Sequence, residues 1–377
     1  MSDSGRDDAD VGYMRRAIEL AYQGLYTTDP NPRVGCVLVR DEAIVGEGWH
    51  VQAGEGHAEI NALDAAGGGA DGATAYVTLE PCSHTGRTGP CCEALVAAGI
   101  SRVVAAGTDP NPQVAGRGLA YLREHGVEVR CGVLEEKAEA INPGYFSRRR
   151  RGRPYVRVKS AMSLDGRTAL ANGDSRWITG PAARHDVHRY RARSACMVTG
   201  IGTVIADDPA LTARLDRPVV QPSVVVMDRT LRCPLDATVL SHAGGCSVVY
   251  IDDGSAQLAA RAQALRATGV DLVALDSTDS PAMLKIVLAE LAQREVNEVM
   301  VEAGPTLAGA WLQSGWVDEW VLYVAPCVLG PDARALADWP RLDDMADRGR
   351  WRRKYLSTLE DDVKLVFLPD DAPCSLA

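Results

Sequence analysis

Apolar residues recur along this chain with two distinct periods, and their order predicts two successive α/β layers. Val11, Met14, Ala17, Ile18, Ala21 and Leu25 fall at helical spacing, so the first element is an expected amphipathic helix. Apolar runs at 34–39 and 44–49, separated by Arg40-Asp41-Glu42, predict a hairpin. A short helix is expected over 58–66, opened by His57 and ended by Gly67-Gly68-Gly69. Residues 73–79 read as a buried strand running into Pro81-Cys82, and 92–98 as a helix stopped by Gly99. Strands at 103–106 and 127–130 complete a predicted α/β/α sandwich.

The pattern restarts after Arg148-Arg149-Arg150-Arg151-Gly152-Arg153-Pro154. A basic run of this kind reads as a solvated linker. The expected division is a first domain over 1–147, an Arg-rich linker over 148–154 and a second domain over 155–377. In the second half, strands are expected at 155–161, 196–199, 224–227, 247–251, 272–275, 298–302 and 320–325. Helices at 182–193, 257–267, 282–293 and 306–313 alternate with them, which argues for a largely parallel sheet. An antiparallel pair at 355–359 and 363–368 closes the chain.

Composition narrows the class. At 377 residues, 46% apolar and 24% charged, the chain has room for two soluble domains. No apolar run approaches the roughly 18 residues of a membrane span, and the start, Met1-Ser2-Asp3-Ser4-Gly5, does not read as a signal peptide. A cytoplasmic location is therefore expected, and ten scattered cysteines suggest metal chemistry and core packing rather than a disulfide framework. Charge is uneven: residues 1–147 hold 11 basic and 21 acidic side chains, the remainder 29 of each. An acidic first half is a poor platform for nucleic acid, whose binding rests on neutralised phosphates.

The chemistry concentrates between His57 and Cys92. One imidazole and two thiolates, His57, Cys82 and either Cys91 or its neighbour Cys92, supply three ligands for zinc and leave the fourth position open, as a catalytic site requires. Glu59 stands two residues past the histidine, placed to shuttle protons beside a zinc-activated water. This is the pattern of zinc-dependent deaminases of amino-pyrimidines and purines. A structural zinc site is the competing reading; the missing fourth ligand and the adjacent carboxylate weigh against it. Eight residues, 83–90, separate Cys82 from Cys91 where the generic signature has two. This insert, with His84 and Arg87, is expected to fold over the substrate. His50 reads as a surface or loop histidine. In the second half, Glu302-Ala303-Gly304-Pro305 carries a strand into a helix whose open N–H groups suit a phosphate, and Gly200-Ile201-Gly202-Thr203 is a second such turn.

The run Thr78-Leu79-Glu80-Pro81-Cys82-Ser83-His84-Thr85-Gly86-Arg87-Thr88-Gly89-Pro90-Cys91-Cys92 closely resembles the bifunctional deaminase/reductase family of riboflavin biosynthesis. So do Asn31-Pro32-Arg33-Val34-Gly35-Cys36 and Asp109-Pro110-Asn111-Pro112, and in the second half Ser163-Leu164-Asp165-Gly166 and Ala206-Asp207-Asp208-Pro209. The resemblance implies a cytidine-deaminase-like sandwich followed by a dihydrofolate-reductase-like α/β domain, with Zn2+ and NADPH as cofactors. It implies His57, Cys82 and Cys91 as zinc ligands and Glu59 as proton donor. The substrate would be 2,5-diamino-6-(5-phosphoribosylamino)pyrimidin-4-one, deaminated and then reduced from ribosyl to ribityl. NADPH would touch Ala161, Trp177, Thr203, Asp207, Arg229, Gly304, Pro305, Thr306, Leu307, Ala308, Gly309 and Ala310. Substrate would touch Ser175, Arg191, Leu211, Arg214 and Glu302, the two arginines suiting its 5′-phosphate. Asp207 and Lys159 are the candidates for the reductase proton. A homo-oligomer, dimer or tetramer, is expected, without nucleic acid or membrane partners. The rival reading is a nucleic-acid-editing zinc deaminase with an accessory domain.

Overall fold

Side-chain alternation along the strands sorts the first half of the chain into layers. The computed structural model describes residues 3–83, 89–112, 114–275 and 279–370, and the chain divides between Gly152 and Arg153 into two compact units. In the first, α1 (Asp3–Ala21) precedes a hairpin of β1 (Gly35–Arg40) and β2 (Ala43–Trp49). Asp41 and Glu42 form its tip at positive φ, as a two-residue turn between twisted strands demands. There follow α2 (Ala58–Ala66), β3 (Thr74–Val77), α3 (Cys91–Ala97), β4 (Arg102–Ala105), α4 (Arg117–Glu124), β5 (Glu128–Cys131), α5 (Glu135–Glu139) and α6 (Pro143–Arg151). The sheet order is β2-β1-β3-β4-β5, with β3, β4 and β5 parallel. Cys36, Leu38, Ala75, Val77, Val103 and Ala105 pack on Ala58, Ala62, Leu95 and Leu122 of α2, α3 and α4. The intervening Val37, Val39, Tyr76 and Val104 face Met14, Ala17 and Ala21 of α1. This is the expected α/β/α sandwich.

Two glycines set how close α2 comes to the sheet edge. A Cβ on Gly46 would stand 2.3 Å from the Ala62 carbonyl oxygen, and one on Gly48 2.4 Å from the Ala62 nitrogen. Any side chain there would lift the helix, and with it His57 at its start.

The Arg-rich linker needs correction. Arg148 to Arg151 are the last turn of α6, which ends on Gly152 in the left-handed conformation. Arg149 and Arg150 lie over the rings of Tyr145 and Phe146, both buried one turn earlier. The apolar face that orders this helix precedes the basic run, so charge alone misreads it.

The second unit comprises β6 (Tyr155–Ser163), β7 (Arg167–Ala169), α7 (Pro181–Arg193), β8 (Cys196–Gly200), α8 (Ile201–Asp207), β9 (Ser223–Met227), β10 (Cys246–Ile251), α9 (Ala256–Arg266), β11 (Asp271–Leu275), α10 (Ser280–Gln293), β12 (Glu298–Val301), α11 (Pro305–Gln313), β13 (Glu319–Ala325), β14 (Arg334–Ala335), β15 (Trp351–Leu359) and β16 (Asp362–Pro369). Nine strands form one sheet in the order β11-β10-β9-β8-β12-β6-β13-β16-β15, while β7 and β14 pair separately. The first seven run parallel, and β16 and β15 add an antiparallel edge. Val156, Val158, Val198, Val225, Val299 and Val301 build the core on one face; Met197, Val224, Val226, Val248 and Met300 build it on the other. Near-continuous apolar strands covered on both sides are what a parallel sheet requires.

Candidate active sites

In the first unit the parallel strands β3 and β4 end where α2 and α3 begin. His57 is the N-cap of α2, in extended conformation (φ −71°, ψ 165°), and Cys91 is the first residue of α3 after Pro90. Cys82 comes from the loop beyond β3. The structure brings the three donor atoms within 4.8 Å of one another. His57 Nδ1 lies 3.3 Å from Cys91 Sγ and 3.5 Å from Cys82 Sγ. Zinc–nitrogen and zinc–sulfur bonds of about 2.0 and 2.3 Å at tetrahedral angles separate nitrogen from sulfur by about 3.5 Å. The donor set therefore fits zinc, through Nδ1 of the imidazole.

The ambiguity between the adjacent cysteines is a matter of helix direction. Cys92 turns into the apolar core with Leu95 and Ala62, 1% exposed, while Cys91 faces His57. The backbone N–H of Cys91 donates to Cys82 Sγ at 3.3 Å, and that of Cys92 to the Cys82 carbonyl at 3.2 Å. Hydrogen bonding from Cys91 and the nearby His57 outweigh burial and lower the Cys82 thiol, which favours the thiolate that metal binding needs. All nine described cysteines are unpaired.

Glu59 sits in the first turn of α2, 3% exposed. Burial, with the Cys82 sulfur adding to it, pushes its carboxyl up to about 7, where it can both take and give a proton near neutrality. His84 and Arg87 lie outside the described residues.

Several buried polar groups around this centre were not marked by any spacing rule. His50, taken as a surface or loop residue, is 2% exposed and meets the His57 ring edge-on at 5.4 Å between centroids. Its Nδ1 lies 3.0 Å from the Gly56 carbonyl and so carries the proton, leaving Nε2 to accept from the Asn31 side-chain amide at 3.1 Å. Burial lowers its pKa, in keeping with a neutral ring. Glu80, two residues before Cys82, is 3% exposed. Its Oε2 accepts the N–H groups of Asp109 and Gly116 (3.1 and 2.8 Å), its Oε1 those of Gly118 and Leu119 (2.9 and 3.3 Å). Asp109 in turn accepts from the Tyr145 hydroxyl and the Asn111 N–H. Asn142 and Arg33 exchange two bonds, each 2.8 Å, like a pair of strand residues. The motif loops named their members, but the partners are up to 109 residues apart in sequence.

The second unit holds a cleft of about 1440 Å3 over the carboxyl ends of β6, β12, β8 and β9, where open α/β sheets bind ligands. Every residue that the resemblance assigned to the reductase lines it except Ala308 and Gly309. Those two are on the covered side of α11: Ala308 is 2% exposed, and a Cβ on Gly309 would stand 2.2 Å from the Asp338 carbonyl. A contiguous motif wraps around a helix, so only part of it can face the cleft.

Glu302, at the end of β12, receives Arg191 in a two-bond pair (2.6 and 2.9 Å), and Lys159 Nζ approaches to 4.0 Å. Burial alone would raise the Glu302 carboxyl; Arg191, with Lys159 behind it, wins and holds it at about 2. Burial lowers Lys159, only partly countered by Glu302. Asp207 ends α8, and its carbonyl accepts from Arg176. Trp177 is 71% exposed, with Arg184 4.6 Å above its ring, so it lies at the cleft rather than in the core. Thr203 Oγ1 accepts the Gly304 N–H at 3.1 Å and ties α8 to the start of α11. That helix begins with Pro305, no side chain caps it, and its first turn lines the cleft, whose wall elsewhere includes Arg214, Arg229 and Arg232. An uncapped helix start opening on such a cleft fits the phosphates of a pyridine dinucleotide.

The comparisons agree with this two-part layout. Residues 154–365 match the family model described as RibD C-terminal domain, and 7–107 the cytidine and deoxycytidylate deaminase zinc-binding region. The chain is 47% identical over 360 residues to riboflavin biosynthesis protein RibD of Escherichia coli K12, covering 94% of this chain and 98% of the relative. Among solved structures, Acinetobacter baumannii RibD (form 2) is similar at 44% identity and TM-score 0.88, over 97% of this chain and 99% of that one. A Thermotoga maritima diaminohydroxyphosphoribosylaminopyrimidine deaminase/5-amino-6-(5-phosphoribosylamino)uracil reductase is similar at 30% identity and TM-score 0.85, over the same shares. With likeness of this degree running through both units, the chain belongs to the RibD family, the bifunctional zinc-dependent deaminases and NADPH-dependent reductases of riboflavin biosynthesis.

Proposed function

We propose that the first unit removes the 2-amino group of 2,5-diamino-6-(5-phosphoribosylamino)pyrimidin-4-one, with zinc held by His57, Cys82 and Cys91. When bound, the metal supplies the Lewis acidity that makes water nucleophilic near neutral pH. Glu59 takes one proton from the attacking water and gives it to the ring nitrogen, where it stays. It then carries the proton of the added hydroxyl to the amino group, which leaves as ammonia as the carbon–nitrogen bond breaks and the carbonyl forms. His50 holds the Asn31 amide in one orientation beside the metal ligands, and Glu80 holds the loop that carries Asp109 and Asn111. The observation that carries this reading is the cluster of three donors with a buried carboxylate two residues from the histidine.

The second unit reduces the deaminated product from ribosyl to ribityl. NADPH, when bound, supplies the hydride. The start of α11 at 304–307, with Ala310, Thr203, Ala161, Trp177, Asp207 and Arg229, holds the cofactor; Ser175, Leu211 and Arg214 hold the substrate. Arg191 is committed to Glu302, so Arg214 is the principal ligand of the 5′-phosphate. Of the two proton candidates, Lys159 is the better placed: its ammonium is weakened by burial and lies at the Glu302 pair, while Asp207 sits at the end of α8. The proton leaves Nζ for the sugar ring oxygen or nitrogen as hydride reaches the carbon.

Among the described residues no helix is long and apolar enough to cross a membrane. A cytoplasmic homo-oligomer, dimer or tetramer, acting on a free nucleotide is part of the proposal; the nucleic-acid-editing alternative has no support from the full-length relatives. Mass spectrometry of the product formed with and without NADPH is the test. Deaminated ribosyl product without NADPH and ribityl product with it are expected; turnover of RNA instead of the free nucleotide refutes the reading.

A further inference from the structure

The cleft of the second unit contains a titratable ring that the chemistry above leaves unused. His188 on α7 lines the cleft three residues before Arg191, and so lies on the same helix face. Both side chains reach one stretch of the 208–222 segment, which contains neither helix nor strand. Arg191 Nη1 donates to the Thr212 carbonyl at 3.2 Å while its other two nitrogens hold Glu302. His188 meets Arg214 twice: the Arg214 backbone N–H donates to Nδ1 at 3.3 Å, and Nη2 of the same residue lies 3.0 Å from Nε2. Arg214 Nη1 donates to Thr212 Oγ1 at 2.9 Å.

Both contacts from Arg214 come from donors, while the Thr212 backbone carbonyl accepts from a ring N–H. A neutral imidazole has one lone pair and accepts from one of them at a time; a protonated ring would have none and would oppose both. Three charged groups face it: Arg191 from its own helix, Arg214 from the 208–222 segment and Glu302 from the end of β12. Burial, then the two arginines, lower its pKa to about 4, consistent with the neutral form that the contacts demand.

We propose that His188 is a positioning residue of the reductase, pinning Arg214 so that its guanidinium meets the substrate's phosphate. The inference rests on the reading of Arg214 as the phosphate ligand. An arginine on an irregular segment carries large rotamer freedom, and a neutral acceptor fixes it without consuming its charge, as a carboxylate would. Arg191 illustrates the contrast, its charge being matched by Glu302.

The test uses the full-length protein at saturating NADPH, with the deaminated phosphoribosylamino-uracil and its dephosphorylated nucleoside as the two substrates. His188→Phe is expected to raise KM for the phosphorylated substrate about tenfold, the loss of roughly one charge-assisted contact. Its kcat, and its KM for the nucleoside, should stay within about twofold. His188→Gln, whose Oε1 can accept near the place of Nε2 where the guanidinium lies, should recover most of the loss. Arg214→Ala separates the two layers of the argument. If it raises KM for the phosphorylated substrate while His188→Phe does not, the positioning role is overturned and the phosphate reading stands. If Arg214→Ala leaves that KM unchanged, the phosphate reading fails and the inference with it. Equal losses on both substrates after His188→Phe would reduce His188 to a structural residue and also overturn the proposal.

Discussion

Glu80→Gln would change one atom in a buried carboxylate that four backbone N–H groups share. The carboxylate offers two oxygens, each taking two donors: Asp109 and Gly116 on one, Gly118 and Leu119 on the other. The amide retains one oxygen, so two of the four donors must face an NH2 group. Hydrogen bonds to a charged group contribute roughly 1.5–3 kcal/mol each, and a buried donor left unmatched costs about 1–3 kcal/mol. The segment 109–119 should therefore lose about 3–5 kcal/mol of local stability. It cannot relax toward Cys82, because Gly118 already touches Pro81: a Cβ there would lie 2.0 Å from the Pro81 carbonyl oxygen. Hydrogen exchange followed by mass spectrometry reads the effect directly. Amides of 109–119 should exchange at least about a hundredfold faster, at about 1.4 kcal/mol per tenfold, with the second unit unchanged. Exchange within about threefold of the wild type would refute the idea that this carboxylate is the anchor of the segment.

Other consequences follow from the same geometry. Glu59→Gln should lower deamination by about 10²–10⁴-fold with zinc content and NADPH-dependent reduction intact, checked by metal analysis and by supplying the deaminated intermediate. Cys91→Ser should lose stoichiometric zinc, whereas Cys92→Ser, buried against Leu95, should keep it. Gly48→Ala should loosen α2 from β2 and weaken zinc retention against a chelator, since its Cβ would stand 2.4 Å from backbone. Glu302 has its carboxyl lowered from 4.5 to about 2, because Arg191 overcomes the effect of burial. A depressed carboxylate stabilises the fold fully above its unfolded value, so roughly 3 kcal/mol should be lost as pH falls from about 4.5 toward 2. Acid unfolding of the second unit, compared with Glu302→Gln, should show this part of the pH dependence vanish in the variant.

Much of this protein is written in short-range pattern. The short apolar runs that become β1, β6 and β8–β13, and the helical stripes of α1, α2 and α10, arise from burying one or two faces of an element, which a local window records. Zinc chemistry is local too: a histidine, a glutamate two residues on and cysteines at loop and helix starts need few contacts to be recognised. The short helices α5 and α8 escaped because each is too brief to complete an apolar stripe, and α6 because its buried rings precede a run of arginines; α4, which buries Leu119 and Leu122, also went unread.

What only the tertiary structure decided is which polar groups meet. Cys91 rather than Cys92 faces His57 because α3 starts at that residue and turns its neighbour into the core. Glu80 and Asn142 find their partners across gaps of 29 to 109 residues, and His188 meets Arg214 across 26. Arg191 is spoken for by Glu302 from a strand 111 residues away, a fact invisible to any reading of arginines as phosphate ligands. Apolar periodicity states how much of an element is buried, but a hydrogen bond is directional and pairwise, so its partner is fixed only when the sheet order has brought distant strands and loops to the same end of the fold.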